Sequence, residues 1–321
     1  RGNLQRGNRV SARWRARLAD HLGSFTVEPV HNSSAAMLDD PVRLACLVSA
    51  CAVTEVALPD REPHEPVFHG LAALLDHDAV SDILPPLGHW LYFLPDAPQS
   101  AIGGDGHPRR DDAGLLPPAP LPRRMWAGSR IEFLAPIKVG AALARVTTSE
   151  AIKPKRGASG DLLFVTLRHD IAADGVPAIR EEQDIVFREP APASPAPQAP
   201  TPVAPAEPAD AVRSIAPDPV LLFRYSALTF NAHRIHYDRD YAQGVEGYAG
   251  LVVHGPLIAT LLIDHALRAA PDIVPRQFDF RAEAPLIDGT PFDLCLARDG
   301  NGAKLWARDA DGRATMRAKL A

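Results

Sequence analysis

Gly255–Ala269 reads GPLIATLLIDHALRA, and this apolar segment decides the fold. Leu257, Leu261 and Asp264 recur at helical spacing, and the segment is apolar around most of its circumference, which predicts a buried helix. Pro256 suits the first helical turn, where its missing N–H group costs nothing. Because segments of strand type follow, we expect a long helix wrapped by an antiparallel sheet.

The same strand pattern occurs twice. IEFLAPIKVGAALARV (131–146) and FDFRAEAPLIDGTPFDLCLA (278–297) each place a Pro and a Gly between two runs of strand type. Alternation around such a turn is typical of antiparallel strands. A further strand pair follows in each copy, with turns at Asp174-Gly175 and Asp311-Gly312. Each half is therefore predicted to form one antiparallel sheet with a helix, an α+β arrangement.

A proline-rich segment divides these halves. Residues 190–210 hold eight prolines and almost no large apolar side chain, so they suit an extended connector. We predict a first domain over 69–189, a linker over 190–212 and a second domain over 213–321, and we leave 1–68 unassigned. The helix of the first half is predicted at 69–77 or at 44–56. A Pro-, Gly- and aromatic-rich insertion over 84–126 is predicted to be a long ordered loop outside the core.

Composition excludes several classes of protein. The chain has 321 residues and a net charge of −5, and its scattered basic residues argue against a nucleic-acid surface. Its three cysteines, Cys46, Cys51 and Cys295, lack CxxC spacing and are interpreted as reduced thiols. The longest apolar run, 44–58, is shorter than the ~20 residues that span a bilayer. We therefore expect a soluble, cytoplasmic protein with no membrane or nucleic-acid partner.

Residues 223–238, FRYSALTFNAHRIHYD, concentrate groups that transfer protons. His236 exchanges a proton near neutral pH, and Asn231 can hold a water by donating and accepting. The amide of Gly255, at a helix N-terminus, is suited to polarise a thioester carbonyl. Water, base and oxyanion donor together indicate addition of water across an unsaturated thioester, or its reversal.

The sequence around these residues resembles the MaoC-type dehydratase domain of (R)-specific enoyl-CoA hydratases, in which an Asp, four residues and a His precede a VHG sequence. The forms FNAHRIHYD, VVHGPL and FRAEAPLIDG are similar to a narrower branch of fungal mitochondrial 3-hydroxyacyl-thioester dehydratases and bacterial mesaconyl-C4-CoA or itaconyl-CoA hydratases. The insertion, with GHPRR, looks like the degenerate first hot-dog domain of that branch. The resemblance covers about residues 70 to 321. It stops short of residues 1–68, which raises the hypothesis of a wrongly assigned start.

This resemblance implies a double hot-dog hydro-lyase that acts on a CoA or ACP thioester, with no other cofactor and no metal. A homodimer is compatible with that fold. The expected catalytic residues are Asn231, His236 and Gly255. The residues expected to bind substrate are Tyr225, His254, Pro256, Arg124 and Arg276, with Arg123 as a further candidate for the CoA phosphates.

One residue departs from the wider pattern. Asn231 stands where the MaoC-type pattern has Asp, and an amide cannot titrate. Either His236 carries out both proton transfers, or Asp238 or His233 supplies the second group. Thioester hydrolysis and a non-catalytic partner subunit are the alternative functions. His233 and His265 are interpreted as structural, and Trp90, Tyr92 and Trp126 as packing residues of the insertion that can also wall an acyl pocket.

Overall fold

The computed structural model describes residues 65–109, 116, 121–157, 160–189 and 207–321, together with the backbone of 54–57. The first half contains β1 (Thr54–Ala57), α1 (Glu65–Leu74), β2 (Arg123–Phe133), β3 (Leu143–Gly157), β4 (Gly160–Ala173) and β5 (Val176–Arg188). The second half contains β6 (Ala211–Ile215), α2 (Pro219–Thr229), α3 (Arg239–Gly244), α4 (Gly255–Ala269), β7 (Gln277–Ala282), β8 (Phe292–Asp299), β9 (Gly302–Arg308) and β10 (Ala314–Leu320). None of the helices in these ranges is long and apolar enough to span a membrane.

The described strands form one antiparallel sheet of ten, in the order β1-β3-β4-β5-β2-β7-β10-β9-β8-β6. The halves join where β2 pairs with β7, from Gly128 opposite Arg281 to Glu132 opposite Gln277. The sheets predicted for the two halves are therefore joined edge to edge into one. Both strands would otherwise be sheet edges with unpaired backbone groups, and their pairing satisfies those groups.

The predicted turns are confirmed. Asp174 and Gly175 both have positive φ, 49° and 82°, which is the geometry of a two-residue hairpin turn. Gly312, with φ 81°, lies in the turn between β9 and β10. Gly140 and Gly289 have φ of 87° and 79° and lie between β2 and β3 and between β7 and β8. Local turn chemistry thus fixed the strand boundaries in both halves.

The central helix α4 also lies where its sequence predicts. Every residue from Leu257 to Ala266 is buried, and the helix packs against β8, β9 and β10. In the first half, α1 confirms the prediction at 69–77 in type, although it begins earlier. Of the alternative at 44–56, residues 44–53 lie outside the described residues and 54–56 belong to β1. Gly70 of α1 lies close to Leu228 of α2, so α1 packs on the second half.

The insertion differs from its prediction in one respect. Its described part is mostly loop, with 3-10 turns at Gly88–Leu91 and Gln99–Ala101, but it is not outside the core. Leu84, Leu87 and Leu91 are at most 8% exposed and belong to the main apolar cluster. These side chains bury apolar area without regular structure, which a prediction based on Pro and Gly content misses.

The predicted linker lies largely outside the described residues, which resume at residue 207. β6 begins at Ala211, so the last two residues assigned to the linker belong to a strand. The division into domains at 189 and 213 stays a prediction. Of the cysteines, Cys295 is a buried free thiol, as expected, and Cys46 and Cys51 lie outside the described residues.

We expect Gly128→Ala to lower the free energy of unfolding by about 1 to 3 kcal/mol, the usual cost of overpacking. An added Cβ would collide with the Phe280 carbonyl oxygen, where β2 meets β7. Thermal or urea unfolding measures the change. Gly244→Ala is the matched control, because no heavy atom outside its own helix lies within 4 Å of the added carbon. Equal stability of the two variants would contradict the prediction.

Candidate active site

A cavity of about 660 Å³ lies between the two halves. The second half contributes Tyr225, Asn231 and Pro256 to its wall. The insertion and the strands of the first half contribute further wall residues, including His107, Arg124, Arg145, His169 and Glu181. A cavity of this size with a mainly apolar wall and a few polar groups is typical of a small-molecule site.

Local hydrogen bonds hold the segment that carries the predicted catalytic residues. α2 ends at Phe230, which adopts left-handed geometry with φ 48°. Asp238 then caps α3 by accepting a hydrogen bond from the Tyr241 amide at 3.0 Å, and it pairs with Arg234 at 2.7 Å. Because Asp238 has these structural partners, the geometry does not favour it as the second proton-transfer group.

His236 is buried, and its Nδ1 donates to the Val252 carbonyl oxygen at 2.7 Å. This bond places the ring proton on Nδ1, so Nε2 carries the lone pair of a general base. Burial, together with the charges of His233 and His107, lowers the pKa of His236 to about 3, and the Val252 hydrogen bond opposes this shift. The ring is therefore neutral at physiological pH.

His254 supports the ring of His236 from one face. The two rings stack with centroids 3.6 Å apart and planes 20° apart. His254 is fully buried, shares a 2.9 Å hydrogen bond with the Ser226 hydroxyl and makes an edge contact with Tyr225. Burial holds the pKa of His254 well below its usual range. Its position predicts that it orients His236, whereas Tyr225 itself lines the cavity.

Asn231 lies in the cavity wall, and Gly255 directly precedes another wall residue, Pro256. Asn231 lines the cavity, and its side-chain oxygen accepts the His233 amide at 3.0 Å. Gly255 is the first residue of α4. A Cβ added to Gly255 would have the Trp126 carbonyl oxygen, 4.0 Å away, as its nearest neighbour outside the adjoining backbone, so the fold has room for a small side chain here. Pro256 lines the cavity beside it.

The predicted arginines have different environments. Arg124 lines the cavity, as a residue that meets the substrate must. Arg123 is mostly buried and pairs with Glu246 at 2.9 Å. Arg276 is exposed, is not part of the cavity wall, and directly precedes β7, where its backbone bonds to Phe133 and Ala321. The position of Arg276 gives no support to its predicted role in binding substrate.

The sequence did not indicate Asp105 and His107 as site residues. His107 Nδ1 donates to Asp105 at 3.0 Å, and the His107 amide donates to the same carboxylate at 3.0 Å. The His107 ring lies 4.1 Å from the ring of His233. Burial by itself would raise the pKa of Asp105, but the hydrogen bonds and charge of His107 hold it well below its usual range. The insertion thus places a carboxylate and imidazole pair beside Asn231.

One atom from each of Asp105, His107 and His233 lies within 4.8 Å of the others, a spacing that a metal ion can use. Within the described part of the chain, no other group of these residue types has that spacing. The expectation of no metal stays a prediction. The hydrogen bond between Asp105 and His107 satisfies both side chains without a cation.

A second polar group lines the cavity on the side of the first half. Glu181 is buried and accepts hydrogen bonds from His89 and Trp90, both at 3.0 Å, and from Ser129 at 2.7 Å. Burial opposes ionisation of Glu181, but His89, His169 and Ser129 lower its pKa to about 2. The aromatic residues Trp90, Tyr92 and Trp126 line the same cavity, and their predicted contact with an acyl group stays a prediction.

Comparisons with known proteins agree with this geometry. The family model for hydroxyacyl-thioester dehydratase type 2 matches residues 87–288. The chain is 51% identical to the mesaconyl-C(4)-CoA hydratase of Chloroflexus aurantiacus over 239 residues, which are 74% of this chain and 83% of that protein. It is 38% identical over 92 residues to the mitochondrial hydroxyacyl-thioester dehydratase type 2 of Schizosaccharomyces pombe, 28% of this chain and 30% of that protein.

Among solved structures, HtdX of Mycobacterium tuberculosis superposes with a TM-score of 0.58 at 18% identity, covering 84% of this chain and 99% of HtdX. The chain therefore has the predicted α+β double hot-dog fold. The chain also matches a protein of a different kind over a short stretch. Over 73 residues, which are 23% of this chain and 29% of RecO, it is 51% identical to the DNA repair protein RecO of Rhodospirillum centenum.

Proposed function

Because this chain belongs to the hydroxyacyl-thioester dehydratase type 2 family and is a hydro-lyase acting on acyl thioesters, we propose that it hydrates a short dicarboxylyl enoyl-CoA. A mesaconyl-C4 thioester is the substrate that its relative in Chloroflexus aurantiacus suggests. The reaction adds water across the double bond conjugated to the thioester and is reversible. We propose that it uses no cofactor besides CoA. An acyl-ACP substrate and a homodimer stay predictions.

Arg145 is the observation that carries the dicarboxylyl substrate. It extends from β3 into the cavity wall, and its guanidinium lies 4.7 Å from the centre of the Phe93 ring. An arginine in a half-buried, aromatic setting is suited to a carboxylate, which it binds through two parallel hydrogen bonds. A straight-chain acyl group would offer no carboxylate to this guanidinium.

The neighbouring anion does not contradict this assignment. Glu181 lines the same cavity, but both of its carboxylate oxygens already accept hydrogen bonds, one from Ser129 and the other from His89 and Trp90. A substrate carboxylate would therefore meet Arg145 and the edge of His169 in the same wall.

The chemistry follows from the second half. His236 Nε2 takes a proton from a water held by the Asn231 amide, and the oxygen of that water bonds to the β carbon of the substrate. Negative charge then develops on the thioester oxygen, where the Gly255 amide at the N-terminus of α4 stabilises it. Arg124 is proposed to meet the CoA moiety outside the acyl pocket.

We expect Arg145→Gln to lower kcat/KM for mesaconyl-C4-CoA by about 10- to 100-fold, the equivalent of losing one charged hydrogen-bonded pair. The rate with crotonyl-CoA, which has no second carboxylate, should stay within about twofold because the interaction removed is specific to that group. Steady-state hydration assays with both thioesters measure the ratio.

Arg130→Gln is the control for this variant. Arg130 lies on the neighbouring part of the sheet and pairs with Glu182 and Asp184, and it is not part of the cavity wall. Both substrates should react at the wild-type rate with this control. An equal loss with both substrates in Arg145→Gln, or a wild-type preference for crotonyl-CoA, would contradict the dicarboxylyl substrate and leave the hydro-lyase assignment intact.

A further inference from the structure

The catalytic residues predicted from the sequence, Asn231, His236 and Gly255, include no second titratable group that could protonate the α carbon. Hydration requires a base that removes a proton from water and an acid that delivers one to the α carbon. Asn231 cannot titrate, and Asp238 is occupied by Arg234 and the Tyr241 amide. His233 is half-buried, and burial together with the charge of His107 lowers its pKa to about 3.

The loop over residues 103–107, GGDGH, contains a titratable side chain, His107, next to the cavity. It closes on itself through Gly103 N to His107 O at 2.7 Å, and the Arg234 amide donates to Asp105 O at 2.9 Å. Gly106 has φ 92°, and an added Cβ would collide with the Ala232 carbonyl oxygen. The loop is thus seated directly on the backbone next to Asn231.

We propose that His107, oriented by Asp105, is the second acid/base residue and protonates the α carbon during hydration. His107 lines the cavity together with Asn231. Its Nδ1 is committed to Asp105, so Nε2 is the nitrogen that exchanges a proton with the substrate. The proposal rests on His236 being the base in the proposed function.

The proton balance closes within this pair. Before reaction His236 is neutral and His107 is an imidazolium held by the Asp105 carboxylate. An O–H bond of water breaks toward His236 Nε2, the C–O bond forms at the β carbon, and the electron pair of the double bond moves toward the thioester. The N–H bond of His107 then breaks as the C–H bond forms at the α carbon, and water returns the proton from His236 to His107.

The two imidazoles have opposite electrostatic environments, which is how paired acid/base roles are separated. His236 is buried and its ring donates to the Val252 carbonyl, whereas His107 has a carboxylate partner at 3.0 Å. Among the groups that the structure describes here, His233, Arg234 and His236 from the second half and Arg124 from β2 are cationic or neutral, and Tyr241 also interacts with Asp105. Asp105 is therefore the group that favours the imidazolium.

The test measures hydration of mesaconyl-C4-CoA, or of whichever enoyl-CoA the wild type prefers, as a function of pH. We expect His107→Gln to lower kcat by about 10²- to 10⁴-fold with little change in KM. Asp105→Asn should shift the alkaline limb of the pH profile to lower pH, because the imidazolium loses its carboxylate. Imidazole added to His107→Ala should restore part of the rate.

The control is His77→Gln, which removes another histidine paired with an aspartate, Asp264 at 2.6 Å, away from the cavity wall. It should keep the wild-type pH profile.

If His107→Gln does not fold, the pH profile of Asp105→Asn is the test. The position of its alkaline limb does not depend on the fraction of enzyme that is active. An unmoved alkaline limb, or a rate in His107→Gln above half the wild-type rate, would overturn the proposal. Loss of wild-type activity on dialysis against EDTA, regained with Zn²⁺, would also overturn it, because a metal ion would then engage these side chains.

Discussion

Replacing His236 with alanine is expected to lower kcat by about 10²- to 10⁴-fold, the range typical of losing a general base. The physical reason is the single lone pair on Nε2, which the hydrogen bond from Nδ1 to the Val252 carbonyl fixes in place. Because burial lowers the pKa of His236 to about 3, the acid limb of the wild-type profile should lie below the ordinary histidine value of about 6.5. Stopped-flow or steady-state hydration assays measure both quantities.

His265→Gln is the matched control for His236→Ala. His265 is also buried, its pKa is also lowered by burial, and its Nε2 lies 3.4 Å from the Ala211 carbonyl oxygen, away from the cavity wall. The thermal stability of His265→Gln is compared with that of His236→Ala, and the kcat of His265→Gln should match the wild type. A folded His236→Ala enzyme with more than half of the wild-type rate would remove His236 from the mechanism.

The sequence predicted features that depend on neighbouring residues. The helix Gly255–Ala269 and the Asp174-Gly175 turn follow from side-chain periodicity and from backbone preferences within a few residues. The same is true of the segment proposed to be catalytic, where the motif around Asn231 and His236 is contiguous. The family assignment rested on these motifs, and the comparisons confirm it.

Contacts between distant parts of the chain were not predictable in this way. His107 and His233 are far apart in sequence, and only the seating of the insertion on the second half brings their rings to 4.1 Å. The pairing of β2 with β7 also depends on how the halves meet. Arg276 shows the same dependence, because basic character alone does not say whether an arginine lies in the wall of a cavity.

The sequence Asp105-Gly106-His107 is itself a local indication that the two side chains pair. A carboxylate two residues from an imidazole, with a glycine between them, can form a tight turn that pairs the two side chains. The sequence shows this turn within a Pro- and Gly-rich insertion, where such residues are common. The chemical meaning of the pair depends on Asn231, which leaves the active site without the carboxylate of the wider family.

Gly255→Val is expected to lower kcat by about 10²- to 10³-fold, the equivalent of losing one oxyanion-hole donor. The nearest heavy atom to an added Cβ is the Trp126 carbonyl oxygen at 4.0 Å, so the fold has room for the side chain. The methyl groups of valine would instead occupy the space through which a thioester oxygen approaches the amide. Thermal stability should therefore stay near the wild-type value while the rate falls.

Gly255→Ala provides a graded comparison, because its single methyl group covers less of the amide and should cost less of the rate. Gly244→Ala is the control for a glycine substitution far from the cavity wall. A crystal structure with a substrate analogue supplies the direct measurement. A thioester oxygen more than about 4 Å from the Gly255 nitrogen is beyond hydrogen-bond reach. That result would mean that α4 stabilises the developing charge through its dipole alone, and Gly255→Val would then act only by blocking the substrate.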